Sequence, residues 1–276
     1  MGAGAGEIDY DFAMRIFAVS DLHIDYKCNA EWLSNLSATD YRNDLLILAG
    51  DVADALPLLE WGLKSLAHKF HQVLFVPGNH DVWINGDTKE RESLEKFRSV
   101  CAVADNCNVS MKPFHCGPLS IVPLFGWYDY SFGPPQEKLQ AMWLDFEACI
   151  WPNSFELRDV TFYFIQLNES LLQTRNETVI SFSHFLPRID VMPSFIPREK
   201  RILYPVLGTT LLEEQVRRLL PKIHVYGHSH VNQRVVKDGI CYVNNAFGYP
   251  SETRITAKTL IKIAEVNCES RNNYLR

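Results

Sequence analysis

Short apolar, β-branched runs recur along the chain, at 16–19, 45–48, 73–76, 121–125, 179–182, 223–226, 240–243 and 261–266. Each is about the length of a strand. Between several of them the apolar positions repeat every three to four residues, which predicts helices. Leu56, Leu59, Leu63, Leu66 and Phe70 form one such stripe, and Leu94, Phe97 and Cys101 a second. A third segment opens on Thr210-x-x-Glu213, a capping-box pattern, and continues with Val216, Leu219 and Leu220. Strand, helix, strand near the N-terminus predicts a βαβ start and a sheet covered by helices. The more strand-rich second half predicts a second sheet packed on the first. No repeat, low-complexity stretch or linker divides the chain, so a single domain over residues 1–276 is the simplest reading. The stretch MGAGAGEIDYD, residues 1–11, reads as a flexible lead-in.

Composition narrows the class without naming an activity. With 47% hydrophobic and 22% charged residues, the chain is an ordinary globular protein. A formal net charge of −6 argues against nucleic acid or an anionic membrane as a partner held by bulk attraction. No run of about 18 apolar residues predicts a spanning helix. Seven cysteines show no C-x-x-C pair, and their odd number suits reduced thiols in a cytoplasmic protein. The sequons at Asn35 and Asn168 need a secretory route, and the N-terminus lacks the apolar core of a signal peptide.

The residues just after the strands are less ordinary. Run 16–19 leads into Ser20-Asp21-Leu22-His23, and run 45–48 into Gly50-Asp51-Val52-Ala53-Asp54. Run 73–76 leads into Gly78-Asn79-His80-Asp81. Run 179–182 stops at His184, and run 223–226 at Gly227-His228-Ser229-His230. Any one of these is explained by turn chemistry, since Asp, Asn and Gly favour loops. Five in order, each behind a strand, are not. Ligands of open α/β sheets bind outside the carboxyl ends of the strands, so these ends are expected to meet in one cleft.

The residue types share a chemistry. Asp21 and Asp51 brought close would repel, and one would take up a proton unless cations lay between them. Asp, Asn and His without thiolate are mixed oxygen and nitrogen ligands, suited to Mn, Fe or Zn. They are too many for one ion. They suit two ions about 3.5–4 Å apart, the arrangement used to hydrolyse phosphate esters.

D-L-H, G-D-x-x-D, G-N-H-D, a lone His and G-H-S-H, in that order over about residues 16–232, resemble the calcineurin-like metallophosphoesterase superfamily. The resemblance implies an α/β fold, a four-layer αββα sandwich of two mixed sheets flanked by helices. It implies one divalent or trivalent transition-metal ion held by Asp21, His23, Asp51 and His230. A second would be held by Asp51, Asn79, His184 and His228, with Asp51 and a hydroxide bridging the pair. His80 would face the substrate and Asp54 would orient its ring. Asp21-Leu22-His23, Ala55 after Asp54, and Asp81 after His80 depart from the protein serine/threonine phosphatases. The pattern is closer to small phosphodiesterases and pyrophosphatases, and it leaves open whether the substrate is a phosphomonoester, a phosphodiester or a pyrophosphate of a small molecule.

Around these motifs, Trp83, Trp127 and Tyr128 follow site-proximal strands and are candidates to line a substrate pocket. Arg188, with Arg198, Lys200 and Arg201, is a candidate grip for a second phosphate. His68, His71, His115 and His224 read as structural or surface residues. An interaction module that has lost catalysis is the competing class, and such a chain should lack ligands that this one keeps. The strand spacing also makes a geometric demand: Gly227 should provide the turn that swings His228 and His230 toward different ions.

Overall fold

The computed structural model describes residues 12–84, 88–174 and 176–268, so the lead-in at 1–11 lies outside the described residues. In chain order the elements are β1 (Phe12–Val19), α1 (Lys27–Asn35), β2 (Leu45–Ala49), α2 (Leu56–Ala67), β3 (Gln72–Val76) and α3 (Ser93–Asn106). After these come β4 (Phe114–Cys116), β5 (Leu119–Pro123), α4 (Glu137–Gln140), α5 (Asp145–Ala148), α6 (Leu157–Leu167) and β6 (Thr178–Phe182). The chain closes with α7 (Thr210–Leu219), β7 (Ile223–Tyr226), β8 (Gln233–Lys237), β9 (Ile240–Asn244) and β10 (Ile261–Cys268). A four-stranded sheet runs β10-β1-β2-β3, and a six-stranded sheet runs β4-β5-β6-β7-β9-β8. Both are mixed: β1-β2-β3 and β5-β6-β7-β9 are parallel, and β10, β4 and β8 pair antiparallel at the edges.

The period of two in the strands explains the layering. Along β2, Leu46 and Leu48 pack with Leu33 of α1, Leu59 and Leu63 of α2, and Val100 of α3. Leu45, Ile47 and Ala49 point the other way, against Ile121, Ile180, Phe182 and Val225 of the second sheet. The far face of that sheet carries Val122, Tyr226 and Tyr242, covered by Val160 and Phe164 of α6 and Leu212 and Val216 of α7. Three buried layers separate helices, sheet, sheet and helices. This is the αββα sandwich, and its central strands read as unbroken apolar runs because both of their faces are covered.

Several details differ from the sequence reading. Strand β5 ends at Pro123, two residues before the predicted run does, and the backbone of Phe125 pairs instead with the side chain of Asn168. The α7 cap is Thr209, whose hydroxyl accepts from Leu211 N, so Thr210 is already helical. A true capping box forms instead at Glu156 and Asp159 of α6, a helix the periodicity did not predict. Cys116 is disulfide-bonded, while Cys28, Cys101, Cys107, Cys149 and Cys241 are free. The expectation of reduced thiols therefore fails at Cys116. Among the described residues no helix is long and apolar enough to cross a membrane.

Candidate metal centre

The carboxyl ends of β1, β2, β3, β6 and β7 meet at one edge of the sandwich, where a bridge between Ser20 and Ala246 joins the two sheets. The backbone there leaves ordinary conformations. Asp21 (φ 54°), His23 (φ 43°), Asp51 (φ 55°), His228 (φ 66°) and His230 (φ 51°) are all left-handed. Such backbone costs roughly 1 kcal/mol or more for a residue with a Cβ. The turn after β7 is thus made by His228 and His230 themselves and not by Gly227, as the sequence had suggested. Gly227 serves close approach: a Cβ there would lie 2.7 Å from the Ala49 carbonyl oxygen. At Gly78 a Cβ would sit 2.0 Å from Asp51 Oδ1.

These turns bring two sets of side chains together. Asp21, His23, Asp51 and His230 each offer one ligand atom, all within 4.8 Å of one another, and so do Asp51, His184 and His228. Asp51 belongs to both sets. Asn79 joins the second, its Oδ1 lying 3.1 Å from His184 Nε2. All seven residues are buried.

The hydrogen bonds on the outer side of the rings fix which nitrogen faces inward. His184 Nδ1–H donates to the Ala49 carbonyl (2.9 Å), His228 Nε2–H to the Val206 carbonyl (3.0 Å) and His230 Nδ1–H to Glu252 Oε2 (2.7 Å). The remaining nitrogens then converge with their lone pairs. His184 Nε2 faces His228 Nδ1 at 3.0 Å, and His230 Nε2 faces His23 Nε2 at 3.1 Å. Asp51 Oδ2 lies 3.4 Å from His184 Nε2, and Asp21 Oδ1 lies 3.2 Å from His230 Nε2. Lone pairs directed at one another need positive charge between them. Left to protons alone, burial opposes charging His230 and His184, but Asp21 and Asp51 overcome it and raise them to about 10 and about 9. Burial holds His228 down at about 3 and His23 well below the usual range. Burial would lift Asp51, yet the surrounding imidazoles keep it well below the usual carboxylate range. Shared Asp51, inward nitrogens and a demand for positive charge fit a pair of transition-metal ions.

His80 stands beside the clusters. Its Nδ1–H donates to Asp54 Oδ1 at 2.9 Å, and its Nε2 lies 3.2 Å from the Tyr249 hydroxyl. Burial disfavours its charge, but Asp51 and Asp54 outweigh burial and raise its pKa. The Trp83 ring lies 3.6 Å from it, centroid to centroid. Asp81, the last residue of G-N-H-D, has its oxygens occupied by backbone N–H groups of Asp51, Val52, Ala53 and Gly78 at 2.8–3.2 Å. It ties two ligand loops together.

The outlying candidates separate. Trp83 is at the site. Tyr128 is 1% exposed and packs among Trp127 and Phe185, inside the helix-side core. Arg188 is spent on carboxylates: it pairs with Asp190, Glu213 and Asp238 at 2.5–3.1 Å, beside α7. Arg201 donates to the carbonyls of Ser194 and Ile196. His224 is enclosed by Ser181 and Ser183. Sequence reasoning missed Glu252, Tyr249, Trp143 and Asp145. Trp143 meets His228 edge-on, and Asp145 accepts from Asn79 Nδ2. No motif marks any of them.

A family profile for calcineurin-like phosphoesterases matches residues 14–232. The chain belongs to that family and is a metallophosphoesterase, a hydrolase of phosphate ester bonds. It is similar to the [acyl-carrier-protein] phosphodiesterase PptH of Mycobacterium tuberculosis, with 27% identity over 91% of this chain and 83% of the relative. The crystal structure of that organism's phosphopantetheinyl hydrolase PptH superposes with a TM-score of 0.74 and 24% identity. The match covers 92% of this chain and 96% of that one, a likeness of fold.

Proposed function

We propose that the protein is a two-metal phosphodiesterase whose substrate is a phosphopantetheinyl group esterified to a carrier protein. The observation that carries the two-metal reading is Asp51, shared by both ligand sets with His80 beside it. The carrier-protein substrate rests on the similarity to the acyl-carrier-protein phosphodiesterase. It replaces a small molecule as the preferred substrate. One ion would be held by Asp21, His23, Asp51 and His230, the other by Asp51, Asn79, His184 and His228, with Mn, Fe or Zn suited to the ligands.

When bound, the two ions supply Lewis-acid charge to the phosphoryl oxygens and activate the attacking water. The protein's own groups do the rest. Asp54 fixes the His80 ring so that Nε2 points into the site, and against the effect of burial Asp51 and Asp54 favour the form that carries a proton there. That proton goes to the departing oxygen, a role worth about 10²–10⁴-fold. The Tyr249 hydroxyl marks a place where an oxygen fits against Nε2. Glu252, Ala49 and Val206 hold three imidazoles in the tautomers that face inward.

The test is to incubate the manganese-loaded protein with a phosphopantetheinylated carrier protein and follow the carrier's intact mass. Loss of the arm, alongside cleavage of a bis-aryl phosphodiester, is the expected result. Hydrolysis of phosphomonoesters alone would overturn the diesterase reading.

A further inference from the structure

Asp145 is a buried carboxylate 66 residues from Asn79 in sequence and in contact with it in space. It opens the short helix α5, in the segment between β5 and β6. Oδ1 accepts from Asn79 Nδ2 at 2.8 Å and from Trp83 Nε1 at 2.6 Å, and Oδ2 accepts from Trp143 Nε1 at 2.8 Å. Each donor side chain also touches the site. Asn79 turns its oxygen to His184, Trp83 lies against His80, and Trp143 stands edge-on to His228 with centroids 5.6 Å apart.

We infer that Asp145 is a positioning residue: it sets the amide of Asn79 so that oxygen, not nitrogen, is offered to the second ion. The inference rests on the proposed role of Asn79 as a ligand. A side-chain amide has an accepting end and a donating end, and only the accepting end can bind a cation. An ionised carboxylate accepts and never donates. Nδ2 must therefore face Asp145, and Oδ1 is left facing His184. The same carboxylate holds the two indoles that flank His80 and His228. Burying a carboxylate is costly unless it is hydrogen-bonded, so its place in the core needs these three partners.

The variants distinguish this role from a merely structural one. Metal binding is read by equilibrium dialysis against Mn²⁺, with elemental analysis, beside melting temperatures with and without metal. Asp145→Asn should weaken the second ion about 10–100-fold, the range for groups that orient metal ligands. Occupancy at limiting metal falls from two toward one. Asn79→Ala should do the same, and the double variant should lose little more, because both remove one interaction. Asn79→Asp should also weaken the second ion despite its added charge, since it sets two carboxylates in contact. Exchanging the pair, as Asn79→Asp with Asp145→Asn, should bind the second ion more tightly than Asn79→Asp alone. That rescue does not depend on how well Asp145→Asn folds by itself. Wild-type affinity in Asp145→Asn, or no gain from the exchange, would overturn the inference. A wild-type protein that binds fewer than two ions would instead overturn the two-metal reading beneath it.

Discussion

The middles and the ends of the same strands follow different rules. In the middle of β1, β2 and β7, Ile16, Ile47 and Val225 are essentially fully buried between the sheets. Each such side chain contributes about 1.5–3 kcal/mol through burial, and none of the three has left-handed backbone. A few residues on, Asp21, Asp51, His228 and His230 are buried polar groups in left-handed backbone. There conformation and desolvation both oppose the folded state. The regular middle offsets the strained end, and it does so within one strand. Stability and chemistry are neighbours here without sharing residues.

Four substitutions or conditions should pull the two regions apart, starting with the largest effect. Asp51→Asn removes the carboxylate common to both ligand sets. It should abolish both metal binding and hydrolysis. Added metal should then no longer raise the melting temperature, a loss of about 2.7–4 kcal/mol for an enzyme kept at 100 to 1,000 times its Kd. Elemental analysis and thermal melts with and without manganese check this. His80→Ala should lower kcat about 10²–10⁴-fold on an alkyl diester while metal content and melting temperature stay put. The deficit should shrink on an ester with an acidic phenol, which needs little protonation on leaving. Equal slowing of both would give His80 an electrostatic role instead of an acid's.

Ile47→Ala probes the strand middle. It should cost about 2–5 kcal/mol in denaturant unfolding through the cavity it leaves, while the folded protein still binds two ions. His224, also in the middle of β7, tests the exception, a buried titratable group there. Burial lowers its pKa to about 3, against about 6.5 in the unfolded chain. Its contribution is whole above pH 6.5 and is lost as pH falls from there toward 3. At 1.36 kcal/mol per unit this is about 2 kcal/mol by pH 5. Unfolding curves of His224→Gln between pH 7 and pH 5 should be flatter than those of the native sequence. An identical slope would assign the acid sensitivity to other groups.

Both regions left a mark in the sequence, of different kinds. The middles were legible as runs, since strands covered on both faces carry apolar residues without interruption. The ends were legible as motifs, because each candidate ligand follows its strand by a fixed few residues: Asp21 and His23 after β1, Asp51 after β2, and Asn79, with His80 next to it, after β3. Local chain geometry carries such positions from sequence into space. The backbone strain was not legible, for Gly227 looked like the turn while His228 and His230 make it.

By itself the sequence determined the two sheets, the order of the strand ends and the chemical kind of site they carry. Those features come from periodicity and short-range spacing. Only the tertiary structure decided that Asp145 meets Asn79, that Glu252 meets His230, that Arg188 is consumed by Asp190, Glu213 and Asp238, and that Tyr128 lies inside the core. It likewise decided that Cys116 is not a free thiol. Apart from the local Arg188–Asp190 pair, the side-chain pairings of Asp145, Glu252 and Arg188 join residues from separate elements or loops. Their contact depends on how layers pack, and packing is a property of the whole chain that no local pattern of residues records.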